Sequence, residues 1–182
     1  MALSNPSALP SSPLVEILDS SRRVVAVLPV VDAVRQRLCH SVVAVLLFDD
    51  QGRITLRRSL AAHGFRSGRW DVPVRGPVLA GESVHDAATR SLQAELGIHV
   101  ERLRLILEMP AQPENNNEYL HVFSLVRPEF NVSGGQDRDA AEYRFSAEEL
   151  GCLLRDFREL VSPRFLLLAD TLNIKGLWRR RP

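Results

Sequence analysis

GPVLAGESVHDAATRSLQAELGI, residues 76–98, joins a glycine-containing loop to a segment with the periodicity of a helix. Ser83 stands at an N-cap position, with Asp86 three residues later as its capping-box partner. Gly97 follows where the helix is expected to end. Small or apolar residues recur at helical spacing and form one face, namely Val84, Ala87, Ala88, Ser91, Leu92 and Leu96. The stretch therefore predicts a loop–helix unit that holds carboxylates and an arginine at fixed spacing beside a phosphate-binding loop.

The spacing of this stretch resembles the Nudix box, G-x5-E-x7-R-E-U-x-E-E-x-G-U, where U is a bulky aliphatic residue. Ser91 and Ala94 depart from that pattern, since each stands where the family has a glutamate. In the family those carboxylates bind divalent metal or help to activate water, so the resemblance predicts the fold more strongly than it predicts hydrolysis. A capped amphipathic helix without any chemistry is the alternative, but it leaves the matches unexplained. The matching positions are Gly76, Glu82, Arg90, Leu92, Glu95, Gly97 and Ile98.

Composition excludes several classes of protein. The chain has 182 residues, 45% of them hydrophobic, which is enough for one domain with a proper core. Its formal charge of +1 argues against a surface that coats nucleic acid. No apolar run approaches the roughly 20 residues that span a bilayer. Two cysteines, Cys39 and Cys152, make no disulfide framework. We therefore expect a cytoplasmic protein with no membrane or nucleic-acid partner.

The order of the predicted elements indicates the fold class. Residues 1–13 are rich in serine and proline and predict a disordered lead, residues 14–174 form the domain, and residues 175–182 form a basic tail. Strands mix with a few helices instead of alternating regularly, which predicts an α/β (α+β) sandwich with a central mixed sheet, as the Nudix resemblance also implies. The predicted strands are Leu14–Asp19, Val24–Leu28, Ser41–Phe48, Ile54–Arg58, Val100–Met109, Tyr119–Val126 and Glu142–Phe145. Further helices are predicted at Asp32–Leu38, from Ser146 to about Leu154, and at Arg164–Leu172.

Residues outside the box resemble the isopentenyl-diphosphate isomerase branch of the family. Trp70 precedes the box glycine by six residues, whereas W-x-x-P-G-G, typical of Nudix pyrophosphatases, gives five. His40 matches a metal-binding histidine of that branch, and Glu118 matches its catalytic glutamate. Arg75 stands at the position of the catalytic cysteine, and Pro77 at that of a metal-binding histidine. Arginine is too weak an acid and proline has no ligand atom, so the isomerase reaction itself is not expected.

The resemblance assigns roles to named residues. It implies catalytic roles for Glu95, Glu118 and Arg90, and metal binding by Glu95, Glu82 and His40. The metal is Mg²⁺ or Mn²⁺, which we expect to be weakly bound because two helical carboxylates are missing. Contact with a diphosphate ligand is expected from Arg58, Arg75, Gly76 and Trp70.

Each of these roles has a structural alternative. His40 can be a histidine at a strand edge that bonds to backbone, Glu118 can be a solvated loop carboxylate, and Glu82 can anchor the loop through Arg90. If the roles hold, Glu95 and Glu118 should approach a common cleft near the box loop, with His40 at its edge.

Three functions stay open at this point. The first is a metal-dependent hydrolase that cleaves a diphosphate linkage in a nucleotide or similar small molecule. The second is a ligand-binding protein of the same fold with little or no catalysis, which Ser91, Ala94 and Arg75 favour. The third is an isomerase-like enzyme with rearranged residues. The expected partner is a small diphosphate ligand, and a homodimer is compatible with the sequence.

Overall fold

The computed structural model describes residues 12–59, 68–126 and 140–173, and this part of the chain forms nine strands and four α-helices. The strands are β1 (Leu14–Leu18), β2 (Val24–Pro29), β3 (His40–Phe48), β4 (Ile54–Ser59), β5 (Trp70–Asp71), β6 (Val74–Pro77), β7 (Arg104–Met109), β8 (Glu118–Val126) and β9 (Ala140–Phe145). The helices are α1 (Val30–Arg35), α2 (Val84–Leu96), α3 (Ala147–Asp156) and α4 (Pro163–Leu172). The predicted lead lies outside the described residues except for residues 12 and 13, and the predicted basic tail lies entirely outside them.

Strand β3 is the centre of a mixed sheet. It pairs in parallel with β8, from His40 opposite Glu118 to Phe48 opposite Val126, and antiparallel with β6. Every residue of β3 except Ser41 is buried, as the continuous apolar run predicted. Strand β4 continues the sheet from the end of β3 and pairs antiparallel with β5 and β9.

Helices cover both faces of this sheet, which confirms the predicted sandwich. Because side chains alternate along a strand, β3 contributes to two separate cores. Val42, Ala44, Leu46 and Phe48 pack with α3 and α4 in one core, while Val43, Val45 and Leu47 pack with α2 in the other. The sheet therefore separates the box helix α2 from α4.

Local signals set most of the helix boundaries. Ser83 Oγ accepts the Asp86 N–H at 3.1 Å, and Ser146 and Ser162 cap α3 and α4 in the same way. Gly97 ends α2 with φ +66°, a left-handed conformation that suits glycine. No helix in residues 12–59, 68–126 or 140–173 is long and apolar enough to cross a membrane.

The largest errors in the predicted boundaries concern α1 and β7. Helix α1 occupies Val30–Arg35 instead of Asp32–Leu38, because Arg37 has φ +52° and the helix cannot continue through it. Strand β7 begins at Arg104 instead of Val100. The chain between Gly97 and Arg104 is irregular, although Ile98 and Leu103 are buried against α2.

Candidate functional site

The box loop is fastened to α2 by Glu82 and Arg90. Arg90 donates from Nε and Nη2 to the two oxygens of Glu82, at 2.7 and 2.8 Å, and Nη2 also donates to the Pro77 carbonyl oxygen at 2.8 Å. The Leu79 N–H donates to Glu82 Oε2 at 2.9 Å. The bond from Arg90 and the backbone bond from Leu79 lower the pKa of Glu82 against the effect of burial. Both Glu82 oxygens are thus used by the protein, which is the geometry of the loop-anchoring alternative.

Close packing between β6 and α2 holds the start of the box. Gly76 faces Ser91, and a Cβ built on Gly76 would lie 2.3 Å from Ser91 Oγ. No side chain fits there while Ser91 keeps its place, so this position requires glycine. Among the described residues, Ser91 Oγ has no hydrogen-bond partner although it is buried. The residue that replaces the first box glutamate therefore packs against backbone and is not directed at solvent.

Glu95, at the last turn of α2, belongs to a cluster of three charged residues. Arg57 Nη1 donates to Glu95 Oε2 at 3.2 Å, and Arg57 Nε donates to Glu142 Oε1 at 2.8 Å. The β4–β9 register places Arg57 directly opposite Glu142. Burial raises the pKa of Glu142, although the bond and charge of Arg57 act to lower it. One largely buried guanidinium thus joins a carboxylate of the box helix to a carboxylate of the sheet.

A second group of charged residues lies on the other face of the sheet. Arg75 forms an ion pair with Glu118 Oε2, and Arg164 at the start of α4 approaches Glu118 Oε1 at 3.3 Å. These residues and His40 line a cavity of about 210 Å³, whose wall includes Val30, Val34 and Val42. Burial lowers the pKa of Arg75, while the Glu118 carboxylate acts to raise it. Two arginines thus share the Glu118 carboxylate, and the charge of Asp71 also acts to raise the pKa of Arg75.

His40 has a defined hydrogen bond in this cavity. Its Nδ1 lies 2.8 Å from the Leu38 carbonyl oxygen, and only 2% of the residue is exposed. Because a carbonyl oxygen only accepts, Nδ1 carries the proton in this hydrogen bond. This is the predicted bond from a strand-edge histidine to backbone, and it leaves one ring nitrogen available to a ligand.

The predicted common cleft is wrong. His40, Arg75 and Glu118 come together on the face covered by α4, whereas Glu95 lies on α2 across the sheet. The physical reason is the parallel register of β3 and β8, which sets His40 beside Glu118 and turns both side chains away from α2. Gly76 is a predicted site residue that lies between the two faces of the sheet. It lines the cavity around Glu118 on one face and packs against α2 on the other.

Trp70 and Arg58 are neighbours at the far end of the sheet. They pair in the β4–β5 ladder, and Trp70 packs edge-on against Phe145 with ring centroids 5.3 Å apart. Arg58 lies on the opposite face of β4 from Arg57, and its Nε is buried with no hydrogen-bond partner in the described part of the chain. Neither residue lines the cavity around Glu118. Their contact with a diphosphate ligand stays a prediction.

The described residues do not form a ready metal site. Within residues 12–59, 68–126 and 140–173, no group of three or more His, Cys, Asp or Glu side chains is placed to hold a metal ion. Glu82 is paired with Arg90, Glu95 is paired with Arg57, and His40 lies across the sheet from both. Mg²⁺ prefers octahedral oxygen ligands, which these separated groups do not supply. Without a phosphorylated ligand, the residues therefore do not fit the divalent metal that the family resemblance implies.

Sequence reasoning missed two of the charged residues that build these sites. Arg57 was given no role in the site, yet it joins two carboxylates. Its signal was a charged residue directly after Leu56 in a predicted strand. Arg164 carried no signal of its own, because its contact with Glu118 depends on how α4 docks.

Comparison with known proteins places the chain in a family. The family model described as the NUDIX domain matches residues 39–166. An uncharacterised Nudix hydrolase, PA4841 from Pseudomonas aeruginosa, is 30% identical over 113 residues, which cover 62% of this chain and 67% of that protein. An isopentenyl-diphosphate Δ-isomerase from Mycolicibacterium vanbaalenii is 35% identical over 68 residues, 37% of this chain and 38% of that enzyme. An uncharacterised Nudix hydrolase of Yersinia pestis is matched over 46% of its length.

A solved structure agrees with the fold. The crystal structure of DR0079 from Deinococcus radiodurans superposes with a TM-score of 0.71 and 19% identity, covering 88% of this chain and 99% of that one. A MutT protein from Methanosarcina mazei superposes with a TM-score of 0.59 over 76% of this chain and 95% of that one, at 17% identity. At such identities the likeness concerns the fold alone. Because the family model spans most of the described domain, the chain belongs to the Nudix family.

Proposed function

We propose that this chain is a Nudix hydrolase that cleaves a diphosphate linkage in a nucleotide or similar small molecule. The observation that carries the proposal is the meeting of Glu95 and Glu142 on Arg57, at the end of the helix whose Arg90 fastens the box loop through Glu82. Family membership suggests a hydrolase, and this cluster supplies residues able to act on a phosphoryl group.

Each residue of the cluster has a chemical task in this proposal. Burial raises the pKa of Glu142, so its carboxylate is a stronger base than an exposed glutamate and is suited to accept a proton from water. Arg57 can pair with phosphate oxygens in bidentate fashion. Glu95 holds the guanidinium in place from the helix side. Glu95 and Glu142 are therefore the carboxylates whose loss should reduce turnover.

The proposed hydrolysis uses a divalent metal ion, but we do not expect the protein to hold that ion without a phosphorylated ligand. Mg²⁺ commonly keeps several waters and binds one or two carboxylates together with substrate phosphates. We expect any Mg²⁺ or Mn²⁺ to bind weakly, and chiefly together with a phosphorylated ligand, because the described carboxylates are paired with arginines.

A second candidate function is ligand binding without turnover. The cavity around Arg75, Arg164 and Glu118 favours it, because two cations surround a single carboxylate and the cavity of about 210 Å³ is open to a small anion. A phosphate group could replace the carboxylate as the partner of both arginines. In this reading ligand affinity depends on Arg75 and little on metal.

A screen of diphosphate compounds separates the two functions. The full chain is incubated with nucleoside diphosphates, nucleotide sugars and alkyl diphosphates, with Mg²⁺, Mn²⁺ or EDTA, and products are resolved by ³¹P NMR. The hydrolase proposal expects cleavage of at least one class. Absence of turnover, together with calorimetric binding of a diphosphate that is lost in Arg75→Gln, would establish the binding protein instead.

A further inference from the structure

Arg57 has an unusual position for a charged residue. Its side chain is 12% exposed, and it comes from the middle of β4, where it is flanked by β5 and β9. Its two carboxylate partners are remote in sequence, Glu95 by 38 residues and Glu142 by 85. They come from different layers of the sandwich, one from α2 and the other from the sheet. An ordinary surface ion pair has neither this burial nor two partners on separate elements.

We propose that the Arg57 guanidinium occupies the place between Glu95 and Glu142 in which a divalent cation would otherwise be held, so that the free protein excludes Mg²⁺ there. This goes beyond the proposed function, because it concerns the cation of the site whether or not the site turns over a substrate.

Two features of α2 favour the Arg57 guanidinium over a metal ion at this place. The helix offers one carboxylate at this end, since Ser91 and Ala94 have none. Ser91 is buried against Gly76 and Ala94 is exposed, so neither position directs a ligand atom at Glu95. A metal held only by Glu95 and Glu142 would rely on water for its other ligands. A guanidinium needs no further ligands, because its fixed donors already reach both carboxylates.

The charges of the cluster also favour the Arg57 guanidinium over a divalent ion. Two carboxylates brought into the same half-buried region repel each other and favour any cation between them. The side chains of Glu95 and Glu142 are 34% and 18% exposed, so water screens their charge only in part. Arg57 is covalently attached and therefore present at high effective concentration, and a weakly bound divalent ion has to displace it.

The test is a Mn²⁺ titration of the full chain without any phosphorylated ligand, read by electron paramagnetic resonance. The wild-type protein should bind little Mn²⁺ up to the roughly millimolar range typical of weak carboxylate sites. Arg57→Gln should gain Mn²⁺ affinity by about tenfold or more, since Glu95 and Glu142 lose the one guanidinium that bonds to both of them. Arg57→Lys should show no such gain, because it keeps the charge. The double variant Arg57→Gln with Glu95→Gln should lose the gain.

A matched control is Arg53→Gln, which removes an arginine that pairs with one carboxylate, Asp49, at 2.7 Å. It should not gain Mn²⁺ binding, because a single carboxylate is left. If Arg57→Gln is unfolded, the proposal expects Mn²⁺ to restore its circular dichroism spectrum and NaCl of equal ionic strength not to do so. Tight Mn²⁺ binding by the wild-type protein would overturn the proposal. So would a folded Arg57→Gln variant with no gain in Mn²⁺ affinity, or an unfolded variant whose spectrum Mn²⁺ does not restore. No substrate enters this experiment, so its result is separate from success or failure of the hydrolysis screen.

Discussion

Gly76→Ala tests how tightly the box loop packs on α2. The new Cβ would lie 2.3 Å from Ser91 Oγ and 3.2 Å from Ser91 Cβ, and the first distance is not tolerated in folded proteins. Ser91 is 4% exposed, so its side chain has little room to move away. Overpacking of this kind costs about 1–3 kcal/mol, offset by about 0.4–1 kcal/mol from the lower entropy of the unfolded alanine chain. We expect a net loss of about 1–2 kcal/mol in the free energy of unfolding.

A double-mutant cycle isolates the contact that causes this loss. Ser91→Ala removes a buried hydroxyl that has no hydrogen-bond partner in residues 12–59, 68–126 and 140–173, so by itself it should be neutral or slightly stabilising. In the double variant with Gly76→Ala the 2.3 Å clash disappears and only the 3.2 Å contact remains. Most of the lost stability should therefore return, with a coupling energy of about 1 kcal/mol.

The measurement is urea denaturation of the full chain, followed by circular dichroism, with Gly151→Ala as the matched control. Gly151 lies in α3, and a Cβ there would meet nothing within 4 Å. That variant should gain about 0.5–1 kcal/mol, because alanine is the better helix former. If Gly76→Ala is as stable as the wild-type protein, or if Ser91→Ala fails to restore it, the close packing described here is wrong.

Three further predictions concern charge. Glu82→Gln should destabilise the protein most at neutral pH. Because the pKa of Glu82 is lowered from 4.5, its carboxylate stabilises the fold above that pH, and this stabilisation is lost as the pH falls through the lowered pKa. Urea denaturation at several pH values measures this, and a difference that persists unchanged well below pH 4.5 would contradict it. Arg75→Gln should cost about 3 kcal/mol in the same assay, because it leaves Glu118 buried with a weaker partner, and adding Glu118→Gln should recover part of that loss. Purified protein should show no isopentenyl-diphosphate isomerisation in a ²H-exchange assay, because Arg75 and Pro77 occupy the acid and metal-ligand positions and a missing general acid costs about 10²–10⁴-fold; isomerisation abolished by Glu118→Gln would refute this.

Features that depend on neighbouring residues could be predicted from the sequence. The serine cap and the glycine end of α2 are set by side chains within a few positions, and they stand where the sequence placed them. The apolar run of β3 likewise predicted a strand buried on both faces. These are short-range effects of hydrogen bonding and burial, so the family resemblance was not needed to find them.

Which residues meet in the site could not be predicted from neighbouring residues in the sequence. Whether Glu118 shares a cavity with His40 or with Glu95 depends on the parallel register of β3 and β8, which joins residues 78 positions apart. The pairing of Arg57 with Glu142 depends in the same way on the β4–β9 register. A shift of one residue in either register would move a side chain to the opposite face of the sheet. Motif spacing within one helix holds no information about such long-range pairings.

The central claim is that the carboxylates beside Arg57 carry hydrolysis. Its most direct test is the initial rate of cleavage of the best diphosphate compound by Glu95→Gln and Glu142→Gln, compared with Glu101→Gln, which changes an exposed glutamate just beyond α2. We expect the rate to fall by about 10²-fold or more in both cluster variants, because each loses a general base or its positioning partner, and to stay unchanged in the control. Wild-type rates in both cluster variants would contradict it and place the chemistry elsewhere in the protein.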